Sequence, residues 1–293
     1  MVFHNDRQDG TAANVAATAS AVKETQRLKV EMPRAEQWVM RSNAENRAYQ
    51  IKVAQPPGDP PPGGYPVVYL LDANSVFGTM VEALRLQSRR PDKTGVVPAI
   101  VVGIGYETEE PFAPERFYDL TPKPTTEYLR RPDGTALPEQ GGAGHFLQFI
   151  EEELKPHLER EFKIDRKRQA IFGHSLGGLF VLYAFLTKPG AFQYYIAGSP
   201  SIHWNKQYLF AEEREFAARL AEDPVGVRLL LAFGELEKSH ISRNCDSAQE
   251  LAERLSGLSG HGVKAEFKVF EDENHVSVLP VLISRALRFA LSP

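Results

Sequence analysis

Cysteine is nearly missing from this sequence, which has a single one, Cys245, among 293 residues. One thiol excludes a disulfide scaffold, an iron–sulfur cluster and a zinc site built from several cysteines. Long apolar runs are missing too, since the longest, 96–105 and 179–186, fall well short of the ~18 residues that a membrane-spanning helix needs. We therefore expect no membrane insertion.

The sequence also lacks an excess of positive charge. It has 34 lysines and arginines and 38 aspartates and glutamates, which gives a net charge of −4 at pH 7. Proteins that bind nucleic acids or anionic membrane surfaces usually carry basic patches, so we expect neither partner. The first residues also lack the basic segment and apolar core of an export signal. The sequence as it stands predicts a cytoplasmic location, and a periplasmic one if a signal peptide has been removed.

What the sequence does contain is an ordinary globular composition, with 42% hydrophobic and 25% charged residues. Residues 1–36 are polar, alanine-rich and aperiodic, which predicts a poorly structured N-terminal arm. In residues 37–293, short apolar runs alternate with amphipathic stretches, a pattern typical of one α/β domain with a mostly parallel sheet and helices on both faces. The predicted strands are 47–54, 65–71, 97–104, 168–172, 194–197, 227–233 and 263–270, and the predicted helices are 144–162, 177–187, 206–222, 243–258 and 277–291.

A long proline-rich stretch, residues 106–143, interrupts this pattern. It has six prolines, several glycines and many charges, but no sustained periodicity. A loop of this length inside a compact domain is usually a lid or a binding segment. We expect it near the active site, and a merely solvated insertion is the alternative.

The strongest chemical signal is GHSLG at 173–177, a G-x-S-x-G motif between a predicted strand and a predicted helix. Such a sharp turn strains the serine backbone and lifts its hydroxyl above the sheet, at the positive end of the helix. Ser175 is therefore the predicted nucleophile. For the oxyanion we expect two donors, the N–H of Leu176 and the N–H of Asn74, with Ala73 as the alternative to Asn74.

A serine hydroxyl needs a base to take its proton, and in this type of fold the partners follow in the order serine, acid, histidine. His275 lies in a turn between the last predicted strand and the last predicted helix, where the base belongs. Glu237 follows the end of the penultimate strand and is the preferred acid, since it would orient the imidazole. The alternatives are Glu235, Asp246, or a serine–histidine dyad without an acid.

Seven short motifs follow one another along the chain: LLDAN (70–74), RFYDLTP (116–122), FIEEELKPHLEREF (149–162), FGHSLGGLF (172–180), AGSPSIHW (197–204), GELE (234–237) and ENHVSV (273–278). In this order they resemble the esterase-D-like branch of the α/β-hydrolases. Within that branch they are most similar to the siderophore esterases that open catecholate trilactones such as enterobactin, salmochelin and bacillibactin. The resemblance runs from about residue 37 to the end of the sequence.

This resemblance implies an α/β-hydrolase fold and a serine carboxylic-ester hydrolase that forms an acyl-enzyme through Ser175 and His275. It implies no cofactor and no metal site, because iron would arrive as part of the substrate. The partner would be a small-molecule ester, a ferric catecholate siderophore. Two other hypotheses are a general short-acyl or aryl esterase, and a catalytically silent relative that serves as a binding module.

A ferric catecholate is an anion, so a site for it needs cations and aromatic surface close to the nucleophile. A net charge of −4 cannot supply these, so the cations must be local. The candidates are Arg116, Arg130 and Arg131 in the proline-rich stretch, with Arg89 and Arg90 after the LLDAN loop. We expect at least one of the first three to face the pocket. Trp204 either forms a pocket wall or packs internally.

Overall fold

The structure is a computed structural model that describes residues 29–128, 130, 134–220 and 222–292. The chain falls into two units, residues 1–31 and 32–293. Most of the predicted N-terminal arm, residues 1–36, lies outside the described residues and stays a prediction. The first strand begins at Ala35, ahead of the predicted start of the α/β domain at residue 37.

One sheet runs through the second unit, and eight strands form it in the described part of the chain. The strands are β1 (Ala35–Arg41), β2 (Ala48–Ala54), β3 (Tyr65–Leu70), β4 (Ile100–Gly105), β5 (Ile164–His174), β6 (Tyr194–Gly198), β7 (Val227–Gly234) and β8 (Val263–Phe270). Their order is β1-β2-β4-β3-β5-β6-β7-β8. β3 to β8 run parallel, and β1 and β2 are antiparallel at one edge. The predicted α/β fold with a mostly parallel sheet is confirmed.

Helices cover both faces of the sheet. They are α1 (Ala73–Gln87), α2 (Pro91–Thr94), α3 (Arg116–Asp119), α4 (Ala143–Phe149), α5 (Lys155–Glu161), α6 (Leu176–Thr187), α7 (Lys206–Leu220), α8 (Asn244–Ser256) and α9 (Val278–Leu291). Successive side chains of a strand point to opposite faces. Val68 and Leu70 of β3 accordingly join the core under α1 and α9, and Val67 and Tyr69 join the core that α4 to α8 complete.

Strand β1 is the one strand of the described sheet that the sequence pattern does not predict. It lies at the edge of the sheet and pairs only with β2 among the described strands. None of its residues is buried. An edge strand of this kind needs no continuous apolar run, which is why its sequence carries little signal.

The predicted helix at 144–162 is helical in the structure, but a π-helical segment, Ile150–Leu154, lies between α4 and α5. Pro156 is the second residue of α5, just beyond that segment, and has no N–H to donate to the preceding turn. The wider π turn accommodates this lost hydrogen bond at the junction of the two helices.

The carboxyl ends of the parallel strands meet at one edge of the sheet, where α/β folds bind their ligands. β5 runs directly into α6 through Ser175 at this edge. Glu237 follows β7 in a 3-10 turn, and His275 follows β8. Among the described residues, none of the helices has the length and apolar character to cross a bilayer.

Candidate active site

Ser175 occupies the turn between β5 and α6 with φ 59° and ψ −116°. Such a backbone is costly for a residue with a side chain and persists only where the surroundings hold it. Glycines provide the necessary space. A Cβ at Gly173 would overlap the carbonyl group of Gly177, and a Cβ at Gly178 would lie 2.8 Å from the carbonyl oxygen of Gly198. The turn has the strand-to-helix geometry that the G-x-S-x-G motif predicts.

Backbone hydrogen bonds tie this turn to the segment after β6. The N–H of Ser175 donates to the carbonyl of Gly198 at 2.9 Å, and the N–H of Ser201 donates to the carbonyl of Ser175 at 3.1 Å. The hydroxyl oxygens of Ser175 and Ser201 lie 3.2 Å apart, within hydrogen-bond distance. In the described part of the chain no hydrogen bond joins Ser175 to His275, so Ser201 holds the resting hydroxyl.

Glu237 holds the imidazole of His275. Its Oε2 accepts the hydrogen bond of His275 Nδ1 at 2.7 Å, while Oε1 accepts from the Ser199 hydroxyl at 2.6 Å and from the Gly234 N–H at 2.9 Å. Burial would raise the pKa of the Glu237 carboxyl, but these hydrogen bonds outweigh burial and hold the pKa below its usual value. The carboxylate is therefore ionised and fixed in place at neutral pH.

The other carboxylates considered from the sequence make different contacts. Glu235 lies 3.4 Å from Nζ of Lys238, and Asp246 accepts a hydrogen bond of 2.8 Å from Arg243. Their side chains are 42% and 50% exposed. Since Glu237 is the carboxylate at His275, the geometry favours it for the third position.

His174, the neighbour of Ser175, is buried and packs against His275, with ring centroids 4.6 Å apart. Burial, followed by the closeness of the second imidazole, lowers the pKa of His174 to about 4. It is therefore neutral at pH 7 and serves as a packing partner of the His275 ring.

Candidate oxyanion donors lie in the first turns of two helices. Leu176 is the first residue of α6, and Ala73 and Asn74 are the first two of α1. First-turn N–H groups have no acceptor within their own helix. The side chain of Asn74 is already engaged, because it donates to the carbonyls of Tyr106 at 2.9 Å and Thr108 at 2.8 Å. The choice between the N–H groups of Ala73 and Asn74 stays a prediction.

A cleft of about 620 Å³ opens over Ser175 and His275. Ser201 and His203, from the segment after β6, form one side of it, and Leu236 and Ile241, from the segment after β7, are also part of its lining. This volume accommodates a small-molecule ester in contact with the serine hydroxyl. In the described residues no group of histidine, cysteine, aspartate and glutamate side chains is arranged to hold a metal ion.

Known proteins are similar to this chain in both sequence and fold. The Esterase family model matches residues 42–276. The chain belongs to the Esterase family. BesA, a ferri-bacillibactin esterase of Bacillus subtilis, is 58% identical over 263 residues, which cover 89% of this chain and 91% of that protein. A siderophore enterobactin esterase of Emericella nidulans is 38% identical over 276 residues, 82% of this chain and 88% of that protein.

A solved structure agrees with this assignment. The crystal structure of the BES protein from Bacillus cereus has a TM-score of 0.85 and 42% sequence identity, and the match covers 91% of this chain and 99% of that one. This esterase is therefore a carboxylic-ester hydrolase with the α/β-hydrolase fold.

Two of the three arginines that the sequence suggests for substrate binding are described, and both make contacts elsewhere in the esterase. Arg116 is buried, and its guanidinium makes two hydrogen bonds of 2.8 Å with Asp72, so it is not a free cation at the cleft. Arg130 is exposed and donates to the carbonyl of Gly134 at 2.8 Å. Arg131 lies outside the described residues. Neither Arg116 nor Arg130 lines the cleft over Ser175.

The two arginines after the LLDAN loop also lie away from the esterase site. Arg89 lines a separate cavity together with Pro98 and Ala99, which precede β4 and so lie at the opposite edge of the sheet. Arg90 is exposed and forms an ion pair of 2.9 Å with Asp92.

Trp204 packs internally in the esterase, which is one of the two expectations for it. Its ring is stacked on Tyr128 at 5.5 Å and tilted against Phe117 at 5.8 Å, and its Nε1–H donates to Gln140 at 3.0 Å. The residue before it, His203, lines the cleft instead.

Three residues of the esterase next to the candidate site have no role assigned from the sequence: Ser199, which contacts Glu237, and Ser201 and His203, which line the cleft. All lie in AGSPSIHW, directly after β6. The signal was available, because a serine-rich segment at the carboxyl end of the strand beside β5 must lie next to the turn that carries Ser175.

Proposed function

We propose that this esterase hydrolyses the ester bonds of catecholate trilactone siderophores, with Ser175 as nucleophile, His275 as base and Glu237 as the acid that orients it. The observation that carries the chemistry is the hydrogen bond of 2.7 Å between Glu237 and His275 beside Ser175. The substrate class is supported by the 58% identity to a ferri-bacillibactin esterase.

In the first half-reaction the Ser175 hydroxyl exchanges its hydrogen bond with Ser201 for one with Nε2 of His275. The oxygen of Ser175 then attacks the ester carbonyl carbon while His275 takes the proton. Glu237 keeps the proton on Nδ1 and stabilises the imidazolium that forms, without itself accepting the proton. The backbone N–H of Leu176 and a first-turn N–H of α1, that of Asn74 or Ala73, stabilise the oxyanion.

Collapse of the tetrahedral intermediate breaks the bond to the leaving alcohol, which receives the proton from His275. The acyl group now sits on Ser175. In the second half-reaction His275 takes a proton from water, the resulting hydroxide attacks the acyl carbon, and Ser175 regains its proton as the acid leaves. Each trilactone ester consumes one water and yields one alcohol and one carboxylic acid.

The proposal is tested by comparing the purified esterase on ferric bacillibactin, ferric enterobactin and p-nitrophenyl butyrate. We expect kcat/KM to be higher for a siderophore than for the nitrophenyl ester, with the linear product identified by its added mass of water. Hydrolysis of the nitrophenyl ester alone would replace the proposal with a general short-acyl or aryl esterase. Absence of a nitrophenol burst as well as of product would indicate a silent binding module.

A further inference from the structure

A second cleft, with a volume of about 860 Å³, adjoins the one over Ser175. His203, Ile241 and Ser242 line both clefts, so the two clefts are adjacent and share this wall. The remaining walls come from the first half of α7, the start of α8 and the proline-rich stretch. We call it the basic cleft and define it by Lys206, Arg214, Arg243, Tyr128 and Phe210.

The side chains of the basic cleft carry positive charge in excess. Among the described residues that line it, Lys206, Arg214 and Arg243 stand against a single carboxylate, that of Glu127. The carboxylates of Glu250 and Asp246 lie beside the cleft and contact Lys206 and Arg243, so the excess is confined to the side chains that line it. Low-dielectric walls around one sign of charge concentrate counter-ions in a cleft, so the basic cleft attracts anions.

The three cations are available to a ligand. Arg214 forms no ion pair with any residue that the structure describes. Lys206 lies 4.0 Å from Glu250, and Arg243 lies 2.8 Å from its partner on α8, and all four side chains are at least half exposed. Ion pairs at the surface contribute about 0–1 kcal/mol, so an anionic ligand can displace them.

Aromatic surface accompanies these charges. Phe210 lies one helical turn from Lys206 on α7, with the ammonium nitrogen 5.5 Å from its ring centroid. Tyr128 is 39% exposed, and its ring packs against Trp204 and edge-on against His203 at 5.4 Å. Flat aromatic groups of a ligand would stack on this surface and on the arginine planes.

The wall shared by the two clefts is rigid. Oδ1 of Asn244 accepts both the N–H of His203 at 2.9 Å and its ring Nδ1 at 2.8 Å, which fixes the imidazole on the start of α8. Burial lowers the pKa of His203, so the ring adds no charge at neutral pH. The charge of the basic cleft therefore comes from its lysine and arginines.

We propose that the basic cleft binds the anionic iron–catecholate part of the substrate while the ester backbone extends past His203, Ile241 and Ser242 to Ser175 in the adjacent cleft. This inference rests on the proposed function. A ferric tricatecholate is negatively charged, because the phenolate oxygens outweigh the charge of iron(III), and its rings are flat and aromatic. The basic cleft offers three cations, the exposed ring of Tyr128 and the largely buried ring of Phe210 next to the cleft over Ser175, which has no lysine or arginine among its described lining residues.

The test replaces Arg214 by Gln and Lys206 by Gln, singly and together, with Arg160→Gln as the matched control. Arg160 is an exposed residue on α5 that lines neither cleft, so its replacement removes the same charge elsewhere. A charged hydrogen-bond partner contributes about a tenfold factor in affinity. We therefore expect each variant to raise KM for ferric enterobactin about tenfold and the double variant to raise it further.

Two further measurements separate this role from damage to the fold or the chemistry. The kcat/KM for p-nitrophenyl butyrate should stay within about twofold of the parent in every variant, since that ester is neutral. In a Ser175→Ala background, the Kd for ferric enterobactin should rise on adding Arg214→Gln, and higher salt should reduce the difference.

The outcomes distinguish the two proposals. Unchanged KM and Kd for ferric enterobactin in the double variant, with a parent enzyme that hydrolyses it, would overturn the basic cleft and leave the proposed function standing. Equal losses on the neutral ester would also overturn it. If the parent enzyme hydrolyses no siderophore, both the proposed function and the proposed role of the basic cleft are wrong.

Discussion

Arg116 and Asp72 form a buried ion pair in which two hydrogen bonds of 2.8 Å join side chains that are 8% and 6% exposed. Asp72 occupies the N-cap position of α1 with a left-handed backbone, φ 52°. Its Oδ2 would lie 3.3 Å from a Cβ placed on Gly177, so it also touches the turn that carries Ser175. The pair therefore fastens the proline-rich stretch to both segments that carry the candidate oxyanion donors.

Replacing Arg116 by Met leaves a buried carboxylate without its partner. Removal of one member of a buried pair costs about 3–5 kcal/mol, and we expect a loss of that size in the free energy of unfolding, measured with urea. The double variant Arg116→Met, Asp72→Asn should recover part of the loss, because no charge is then buried alone. If Arg116→Met is as stable as the parent, the ion pair with Asp72 does not hold the proline-rich stretch in place.

Ser175→Ala should abolish ester hydrolysis without affecting the fold. Loss of the nucleophile in a catalytic triad lowers kcat by a factor of the order of 10⁶. The measurement is kcat on p-nitrophenyl butyrate, with circular dichroism to verify the fold. Ser201→Ala is the companion variant, since its hydroxyl lies 3.2 Å from that of Ser175, and we expect it to retain most of the activity. Substantial hydrolysis by pure Ser175→Ala would assign the nucleophile elsewhere.

Glu237→Gln should lower kcat by up to about 10⁴-fold, because an amide in place of the orienting acid favours the wrong imidazole tautomer. KM should change little, since the carboxylate holds His275 rather than the substrate. Glu235→Gln is the control, because that side chain lies two residues away and contacts Lys238 instead. Equal mild effects of the two changes would indicate a dyad of Ser175 and His275.

Gly178→Ala tests the close packing behind the turn at Ser175. A Cβ there would lie 2.8 Å from the carbonyl oxygen of Gly198 and 2.9 Å from Cα of Pro200, so backbone must move. Overpacking of this kind costs about 1–3 kcal/mol, and we expect both the Tm and kcat to fall. Gly190→Ala is the control, because nothing lies within 4 Å of its Cβ position. A Gly178→Ala variant with the Tm and kcat of the parent would contradict the packing argument.

Asp119 makes stability depend on pH. It accepts hydrogen bonds from the hydroxyls of Tyr49 at 3.1 Å and Tyr106 at 2.9 Å, and lies 3.3 Å from Arg47. Burial raises the pKa of its carboxyl to about 6, although Arg47 and the two hydroxyls act in the opposite direction. In the unfolded chain the pKa is about 3.9, so between about pH 4 and pH 6 the folded protein binds the extra proton.

This contribution of Asp119 is therefore greatest below about pH 4 and is lost as the pH rises through about 6. Between these two pH values the contribution of Asp119 to the free energy of unfolding changes by a value on the order of 3 kcal/mol. Urea unfolding of the parent and of Asp119→Asn across this range should show the parent losing stability relative to the variant as the pH increases. A difference between the two proteins that does not vary with pH would exclude the effect.

The local sequence pattern was sufficient to predict much of the fold and the strained turn at the centre of the candidate site. The motif GHSLG, with a strand before it and a helix after it, predicts the strained turn that Ser175 adopts. Strand β8 has the predicted bounds, 263–270, because the order of apolar and polar residues within this segment is enough to indicate a strand. Strand β1 could not be predicted in this way, since an edge strand with no buried residue follows no apolar pattern.

The sequence by itself determined the alternation of strands and helices, the turn at Ser175 and the positions of Glu237 and His275 at the strand ends, because these depend on short-range patterning and chain order. Tertiary structure alone decided which charges are buried in an ion pair and which line a cleft. Arg116 is 44 residues from Asp72 in the chain and is nevertheless paired with it, while Lys206 and Arg214 of α7 meet Arg243 at the start of α8 in one cleft. Whether a cation is buried in an ion pair or lines an open cleft depends on packing between segments distant in sequence, which no local pattern records.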